Sequence, residues 1–263
     1  MNPAAQPPHP VRLQISALPE FPLVRPGDDL VALIAAAAAR GGMAPADGDV
    51  FVVAQKVVSK AENRIVDLGV VEPSARAIAV AAAVRKDPRL VEVILSESRR
   101  IVRQRPDVLI VEHRLGFVMA NAGVDQSNVG PADGGERALL LPEDPDRSAE
   151  ALRSGLQARF GVRLGVIIND SFGRAWRRGT VGVALGAAGL PAVIDKRGEP
   201  DLFGRTLRAT VIGYADEIAA AASLLMGQAD EGRPVVIVRG LRWSAEILPG
   251  AALIRPEAED MFR

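Results

Sequence analysis

The chain has 263 residues, 48% of them hydrophobic and 24% charged, with 32 basic side chains against 32 acidic ones. That balance removes any whole-molecule field that would gather nucleic acid or anionic lipid, and no apolar run reaches the roughly 18 residues that cross a bilayer. Cysteine is absent and the histidines are His9 and His113 alone, which excludes disulfides, thiol nucleophiles and thiolate or histidine-rich metal sites. Any metal must rest mainly on oxygen, which favours magnesium, manganese or calcium, and a cytoplasmic setting fits.

Met1 to Pro10 holds Pro3, Pro7, Pro8 and Pro10 and lacks the basic-then-apolar order of a signal peptide, so it reads as a flexible arm. Val11 to Ala17 alternates as a strand. Gly27, Asp28 and Asp29 then offer an N-cap to the apolar run Leu30 to Ala39, which Gly41 and Gly42 terminate. Val50 to Val58 is β-branched and bounded by turn residues, the pattern of a buried strand. Helices are expected from Ser74 to about Lys86 and from Pro88 to Glu97, and strands over Asp107 to Glu112 and near Gly116 to Ala120. Asn121 to Arg137 is a long irregular stretch rich in Gly, Asn and Asp, and loops of that length in compact proteins are often functional.

Asp146 to Phe160 reads as an amphipathic helix closed by Gly161, and Arg163 to Asn169 as a buried strand ending directly on Asp170. Past the glycine-rich Gly179 to Gly189, strands are expected near Ala192 to Ile194, Leu207 to Ile212 and Pro234 to Arg239, with a helix over Asp216 to Met226. No period of 20 to 50 residues recurs. Strands and helices mingle without a βαβ rhythm, which predicts an α+β fold of mixed sheets and helices: one unit over 11–245, open to division into subdomains, then a tail over 246–263.

Two segments concentrate chemistry. Asn121 to Asn128 gathers amide, carboxylate and hydroxyl oxygens around Asp125, which suits a hard metal or a phosphate edge and equally suits a polar turn. Val166 to Arg174 leads a strand core into Asn169, Asp170 and Ser171; Asp170 and Ser171 could ligate neighbouring ions, or Asp170 could simply cap a turn. Should Asp125 and Asp170 meet, their charges would repel by about 4 kcal/mol at 4 Å and an effective dielectric of 20, so a cation must join them. Arg174, Arg177 and Arg178 offer one; planar guanidinium groups also suit carboxylate or phosphate. Lys60, just past a buried strand, could meet a phosphate. Gly182, Gly186 and Gly189 lack the G-x-G-x-x-G spacing and Pro191 follows them, so a Rossmann reading fails, and no P-loop motif is present.

In this order the segments resemble the family of coenzyme F420-0:L-glutamate ligases, which act in biosynthesis of the deazaflavin cofactor F420. The resemblance runs from about Val11 to Leu241. It is carried by Phe21-Pro22-Leu23-Val24 with Gly27-Asp28-Asp29-Leu30, Gly48-Asp49-Val50 through Ser59-Lys60-Ala61-Glu62, Asn121 to Asn128, Val166 to Arg174 with Arg177-Arg178-Gly179, Asp216 to Ala220, and Leu225-Met226-Gly227. It implies GTP-dependent ligation of L-glutamate to F420-0 through an acyl phosphate, with GDP and phosphate released, in an intertwined homodimer. It also implies two manganese or magnesium sites, with potassium as a further ion: Asp125 and Asp170 at the first, Ser171 and Gln228 at the second. The matching GTP segments are Phe21, Pro22, Leu23 and Val24, Gln55 and Lys56, Lys60, Asn128, and the loop Met226, Gly227, Gln228, Ala229, Asp230, Glu231, Gly232 and Arg233. Relatives can carry an acidic residue where Gln228 stands, which leaves Asp230 and Glu231 as alternative ligands. Some bacterial relatives carry a nitroreductase-like second domain, which this chain is expected to lack. A different nucleotide-consuming ligase or phosphotransferase, or a non-catalytic GTP-binding protein, remains the alternative.

Overall fold

The computed structural model describes residues 12–129 and 136–261. The expected arm over Met1 to Pro10, the first residue of the expected strand at Val11 and part of the loop after Asn128 lie outside the described residues. The fold is mixed α+β, as expected, with several sheets and helices. Among the described residues no helix is long and apolar enough to cross a membrane.

The elements run β1 (Gln14–Ala17), α1 (Leu30–Arg40), β2 (Asp49–Ala54), α2 (Gln55–Ala61), β3 (Ile65–Asp67), α3 (Ala75–Val84), α4 (Pro88–Ser96), β4 (Ser98–Arg105), β5 (Val108–His113), β6 (Val118–Ala120) and β7 (Arg137–Leu139). Then follow α5 (Pro145–Phe160), β8 (Leu164–Gly173), β9 (Thr180–Ala188), β10 (Ile194–Asp195), β11 (Val211–Ile212), α6 (Tyr214–Met226) and β12 (Val235–Arg239). A five-stranded sheet of order β1-β12-β2-β8-β9 forms the main body, with β2 and β8 parallel and its other pairings antiparallel. Val50 to Val53 are fully buried because the sheet is covered on both sides. One face packs on α1, α2 and α5 through Ile34, Val58, Leu152 and Leu156, and the other on α6 through Ala215, Ile218, Ala219 and Ala222.

Local chemistry sets the helix ends. The Asp29, Ser74, Asp87 and Asp144 side chains each accept a hydrogen bond from a first-turn amide, with Pro88 and Pro145 at helix starts, and Gly161 closes α5 in the left-handed region. The expected strand Val50 to Val58 is shorter: it stops at Ala54 and the chain turns at once into α2. β-branched Val57 and Val58 tolerate the helix because both pack into the core, and Ser59 Oγ donates to Gln55 Oε1 one turn back at 2.9 Å.

The glycine-rich Gly179 to Gly189 stretch, left without an element by its sequence, is strand β9. A Cβ at Gly182 would lie 2.5 Å from the Ala219 carbonyl oxygen in α6, and one at Gly186 would lie 2.3 Å from the Pro145 carbonyl oxygen in α5. The glycines therefore let helices approach the strand from both faces. β9 shifts register between the partners of Ile168 and Asn169, and carboxylates bind its backbone there: Asp216 accepts from Ala184 N at 2.8 Å, and Asp146 from Ala187 N at 2.8 Å. Asp146 also accepts from Gly250 N at 2.6 Å and Ala251 N at 3.0 Å, so the tail, given no element from sequence, is fastened to the body.

Between α2 and α5 the chain builds a lobe with its own core, where Ala77, Val84, Val91 and Ile94 of α3 and α4 pack on Leu109 and Val111 of β5. Strands β3, β4 and β7 of this lobe are not among the elements expected from sequence. Entry and exit are paired, since β3 and β7 are antiparallel with Ile65 opposite Leu139. The Glu97 carboxylate sits at this neck. Arg64 and Arg114 each donate to it at 3.1 Å, Arg64 also donates to the Leu141 carbonyl at 3.0 Å, and His113 Nε2 lies 3.3 Å from it. Burial pushes the Glu97 carboxyl up, but His113, Arg114 and Arg64 outweigh it and hold the group at about 2.

A folded value below the ordinary 4.5 means that Glu97 stabilises above the ordinary value and loses this contribution as pH falls toward about 2. Glu97→Gln is therefore expected to lower unfolding stability near neutral pH by about 3 kcal/mol. The gap from wild type should close on acidification; urea melts giving a gap unchanged from about pH 6 down to about pH 2.5 would contradict this.

Candidate active site

The site lies where the parallel strands β2 and β8 end side by side. Ala54 pairs with Asn169, so α2 begins next to Asp170. Open α/β sheets bind ligands beyond the carboxyl ends of such strands. β8 does not stop at Asp170, as the sequence suggests, but runs on to Gly173, with Asp170 opposite Val183 and Ser171 opposite Gly182. Successive side chains of a strand point to opposite faces. Asn169 and Ser171 accordingly face α6, with Asn169 Nδ2 donating to Ser223 Oγ at 3.1 Å and Ser171 Oγ donating to Gln228 Oε1 at 2.6 Å. Asp170 points the other way.

Asp125 meets Asp170 there because the lobe's neck fixes it. Its amide donates to Leu139 O at 3.0 Å and its carbonyl accepts from Leu139 N at 2.8 Å, while its side chain accepts from Ser127 N at 2.8 Å and Ser127 Oγ at 2.7 Å. Asn121, Ala122 and Asn128 all have positive φ, at 53°, 53° and 56°, so the segment is a tightly turned loop.

The cation on Asp125 is Lys56 Nζ rather than the arginine cluster that the sequence offers as competitor to a metal. Burial pushes the Asp125 carboxyl up, but hydrogen bonds from Lys56 and Ser127 and the Lys56 charge bring it below the ordinary value. Asp170 behaves oppositely. Burial and the Asp125 charge raise its carboxyl to about 6, against the pull of the Ser171 amide and of Lys56. Lys60, one turn after Lys56, is lowered by burial and by the Lys56 charge.

The loop after α6 closes over the strand end. Gly227 adopts φ 73° and ψ −172°, and a Cβ there would lie 1.9 Å from the Glu231 carboxyl carbon, so only glycine fits. Glu231 accepts from Ala229 N at 2.9 Å, and Asn128 Nδ2 donates to Ala229 O at 3.3 Å. The structure thus draws Lys56, Lys60, Asp125, Asn128, Asp170, Ser171, Gln228, Ala229 and Glu231 to one end of the sheet. Phe21 and Val24 pack on the core that holds Val58, and Gly27 N donates to Ala61 O at 2.9 Å, which sets the 21–24 loop beside α2 with Pro22 and Leu23 exposed. Met226 is buried against Asn169, while Asp230, Gly232 and Arg233 are exposed. Gln55 is turned inward onto Ser59 and offers its side chain to no surface. Ser127, read from sequence as a hydroxyl oxygen for a metal or phosphate, instead donates its amide and hydroxyl to the Asp125 carboxylate.

Among the described residues no group of three or more His, Cys, Asp or Glu side chains forms a metal cage. A cation between Asp125 and Asp170 would rest on the two carboxylates, while the neutral oxygens of Ser171 and Gln228, on the other face of β8, would serve a second ion. That donor set fits a hard divalent ion, since paired carboxylates, one driven up by burial, are what such an ion relieves.

A carboxylate pair countered by lysines, at the carboxyl ends of parallel strands and under a glycine-hinged loop, defines an enzyme site that handles highly charged groups. Comparison with known proteins narrows the class. Residues 19–240 match the family model described as F420-0:Gamma-glutamyl ligase. Proteins named coenzyme F420:L-glutamate ligase are 49% identical in Methanopyrus kandleri, across 95% of this chain and 98% of that protein, and 50% identical in Methanothermobacter thermautotrophicus, across 92% and 96%. The relative from Archaeoglobus fulgidus is 43% identical across 96% and 97%. The chain belongs to the F420-0:gamma-glutamyl ligase family and is a ligase.

Asp170 links the site to stability with a definite sign. A folded value of about 6 against the ordinary 3.8 means stability is lost as pH rises between those values and the half-buried carboxylate becomes charged. In chelator, Asp170→Asn should melt above wild type near pH 8 but not near pH 4. Millimolar manganese should raise the melting temperature of wild type more than that of the variant. Equal shifts in both proteins would remove Asp170 from any cation site.

Proposed function

We propose that this chain joins the amine of L-glutamate to a carboxylate of F420-0 at the expense of GTP, giving F420-1 and longer γ-glutamyl forms. The observation that carries this reading is the convergence of Asp125, Asp170, Lys56 and Lys60 at one strand end, beneath the 226–233 loop. In the first step a carboxylate oxygen of F420-0 attacks the γ-phosphorus of GTP, the bond to the bridging oxygen breaks, and GDP leaves. The glutamate amine then attacks the acyl carbon, a C–N bond forms as the C–O bond breaks, phosphate departs, and the amine gives up its proton.

Phosphoryl transfer asks a protein mainly for positioning and for charge opposite the transferring oxygens. Lys56 and Lys60 bring that charge, one helical turn apart on α2. Asp125 and Asp170 would hold one manganese or magnesium ion, Ser171 and Gln228 a second on the other face of β8, and potassium would bind nearby. Such ions supply Lewis-acid stabilisation of the phosphate oxygens. Asn128 and the 226–233 loop would position the nucleotide, with the 21–24 loop and Lys56 of α2 alongside, whereas Gln55, buried against Ser59, would take no part. Leu202 and Phe203, 99% and 95% exposed at the tip of the segment between β10 and β11, are apolar surface suited to burial against a second copy, and support an intertwined homodimer.

Purified protein given GTP, manganese, L-glutamate and F420-0 should release GDP and yield a product heavier by one glutamyl residue. Mass spectrometry finding no such product would overturn the reading. Asp125→Ala and Asp170→Ala should each lower turnover at least about a hundred-fold with the fold intact by circular dichroism. In sedimentation, wild type should run as a dimer and Phe203→Asp as a monomer; equal masses would remove the hairpin from the interface.

A further inference from the structure

The face of β8 that meets α6 carries polar atoms on two rungs. Asn169 Nδ2 lies 3.2 Å from Met226 Sδ, and two residues further along both segments Ser171 Oγ donates to Gln228 Oε1 at 2.6 Å. The outer rung opens to solvent through the exposed Gln228, whereas Asn169 is 6% exposed. Its Oδ1 is buried with no hydrogen-bond partner among the described residues, a costly state for an amide oxygen. The amide cannot relieve this by turning over. Ser223 Oγ donates its one hydrogen to the Ala219 carbonyl at 3.0 Å, so toward Asn169 it can only accept, and the Met226 thioether has no hydrogen to donate. Both neighbours therefore require Nδ2, which leaves Oδ1 on the side turned away from them. Ser223 is itself fixed: a Cβ at Gly182, the partner of Ser171 on β9, would lie 2.2 Å from its Oγ, so glycine makes the room the hydroxyl occupies.

We propose that Asn169 Oδ1 is a ligand of the second cation, joining Ser171 Oγ and Gln228 Oε1, and that Ser223 is the positioning residue that aims it; this rests on the second ion in the function proposed above. Asn169 and Ser171 are alternate residues on one face of an extended strand, about 7 Å apart along it, so side chains leaning together bring their oxygens within reach of one ion. Two neutral oxygens are a thin shell for a hard divalent cation, which takes about six. Ser171 and Gln228 must also give up the hydrogen bond between them to receive it. Asn169 Oδ1 has no bond to give up, and a cation satisfies it without a donor from the protein.

The test is manganese binding to the full-length, nucleotide-free protein, with the free ion followed by electron paramagnetic resonance. Wild type should bind two ions. Asn169→Leu should keep the ion at Asp125 and Asp170 and weaken the other about ten-fold or more, while Asn169→Asp, which keeps Oδ1 and adds a charge, should bind it at least as tightly as wild type. Ser223→Ala removes the acceptor that orients the amide and should weaken the second ion by a smaller factor, leaving the first unchanged. Should Asn169→Leu fail to fold, Asn169→Asp and Ser223→Ala decide the matter alone. An asparagine that only holds the fold, or a water on Oδ1, gives a different pattern: the variants melt lower and manganese affinity stays the same. That result overturns the assignment, as does equal weakening of both ions. A single ion bound by wild type overturns the second site and this inference with it. Two ions bound by a wild type that yields no glutamylated product overturns the proposed reaction alone.

Discussion

The parallel pairing of β2 with β8 is the constraint on which the site depends. Two buried strands end at the same level, Ala54 beside Asn169, and each leaves the sheet differently. β2 breaks into α2 and so presents Lys56 and Lys60 on successive turns, whereas β8 stays extended and presents Asp170 and Ser171 to opposite faces. Opposite charges therefore gather at one edge without any of them having to cross the core. The apolar strands upstream, with Val50 to Val53 and Val166 to Ile168 fully buried, fix the positions of these polar ends.

The third contribution comes from the inserted lobe, whose paired entry and exit strands hold Asp125 against the main sheet. Glu97, with Arg64, Arg114 and His113, ties the same neck. The distance between Asp125 and Asp170 is thus set by the junction of two cores, not by a local motif. Lys56 bonds Asp125 directly, and its charge also acts on Asp170, so any cation entering between the carboxylates meets a lysine already there. A lysine displaced from Asp125 is free to meet a phosphate.

Much of this was legible in the sequence, and the parts that were not share a cause. Helices with a capping side chain and an apolar stripe, such as α1 and α4, are specified by residues within one segment, and so are buried runs such as β12. β3, β4 and β7 could not be read, because short or charged strands such as Arg100 to Arg105 owe their extended form to partners far along the chain. β9 was hidden by glycines whose reason is the helices above and below it. Asp125 and Asp170 stood out as oxygen ligands, but their meeting depends on Leu139 and on the register of β8. Lys56 was legible as a nucleotide contact and not as the partner of Asp125. Nothing local distinguishes those roles.

The close approach of α5 and α6 to β9 bears on how this protein can vary. At Gly182 and Gly186 any side chain would strike helix backbone on one face or the other. Since Gly182 lies opposite Ser171 and Gly186 opposite Ile168, the strand that flanks the acidic pair is closed to ordinary drift at those positions. Change is left to exposed side chains, which can be replaced without moving the sheet, so the strand that flanks the acidic pair is inherited as a unit with the helices packed on it.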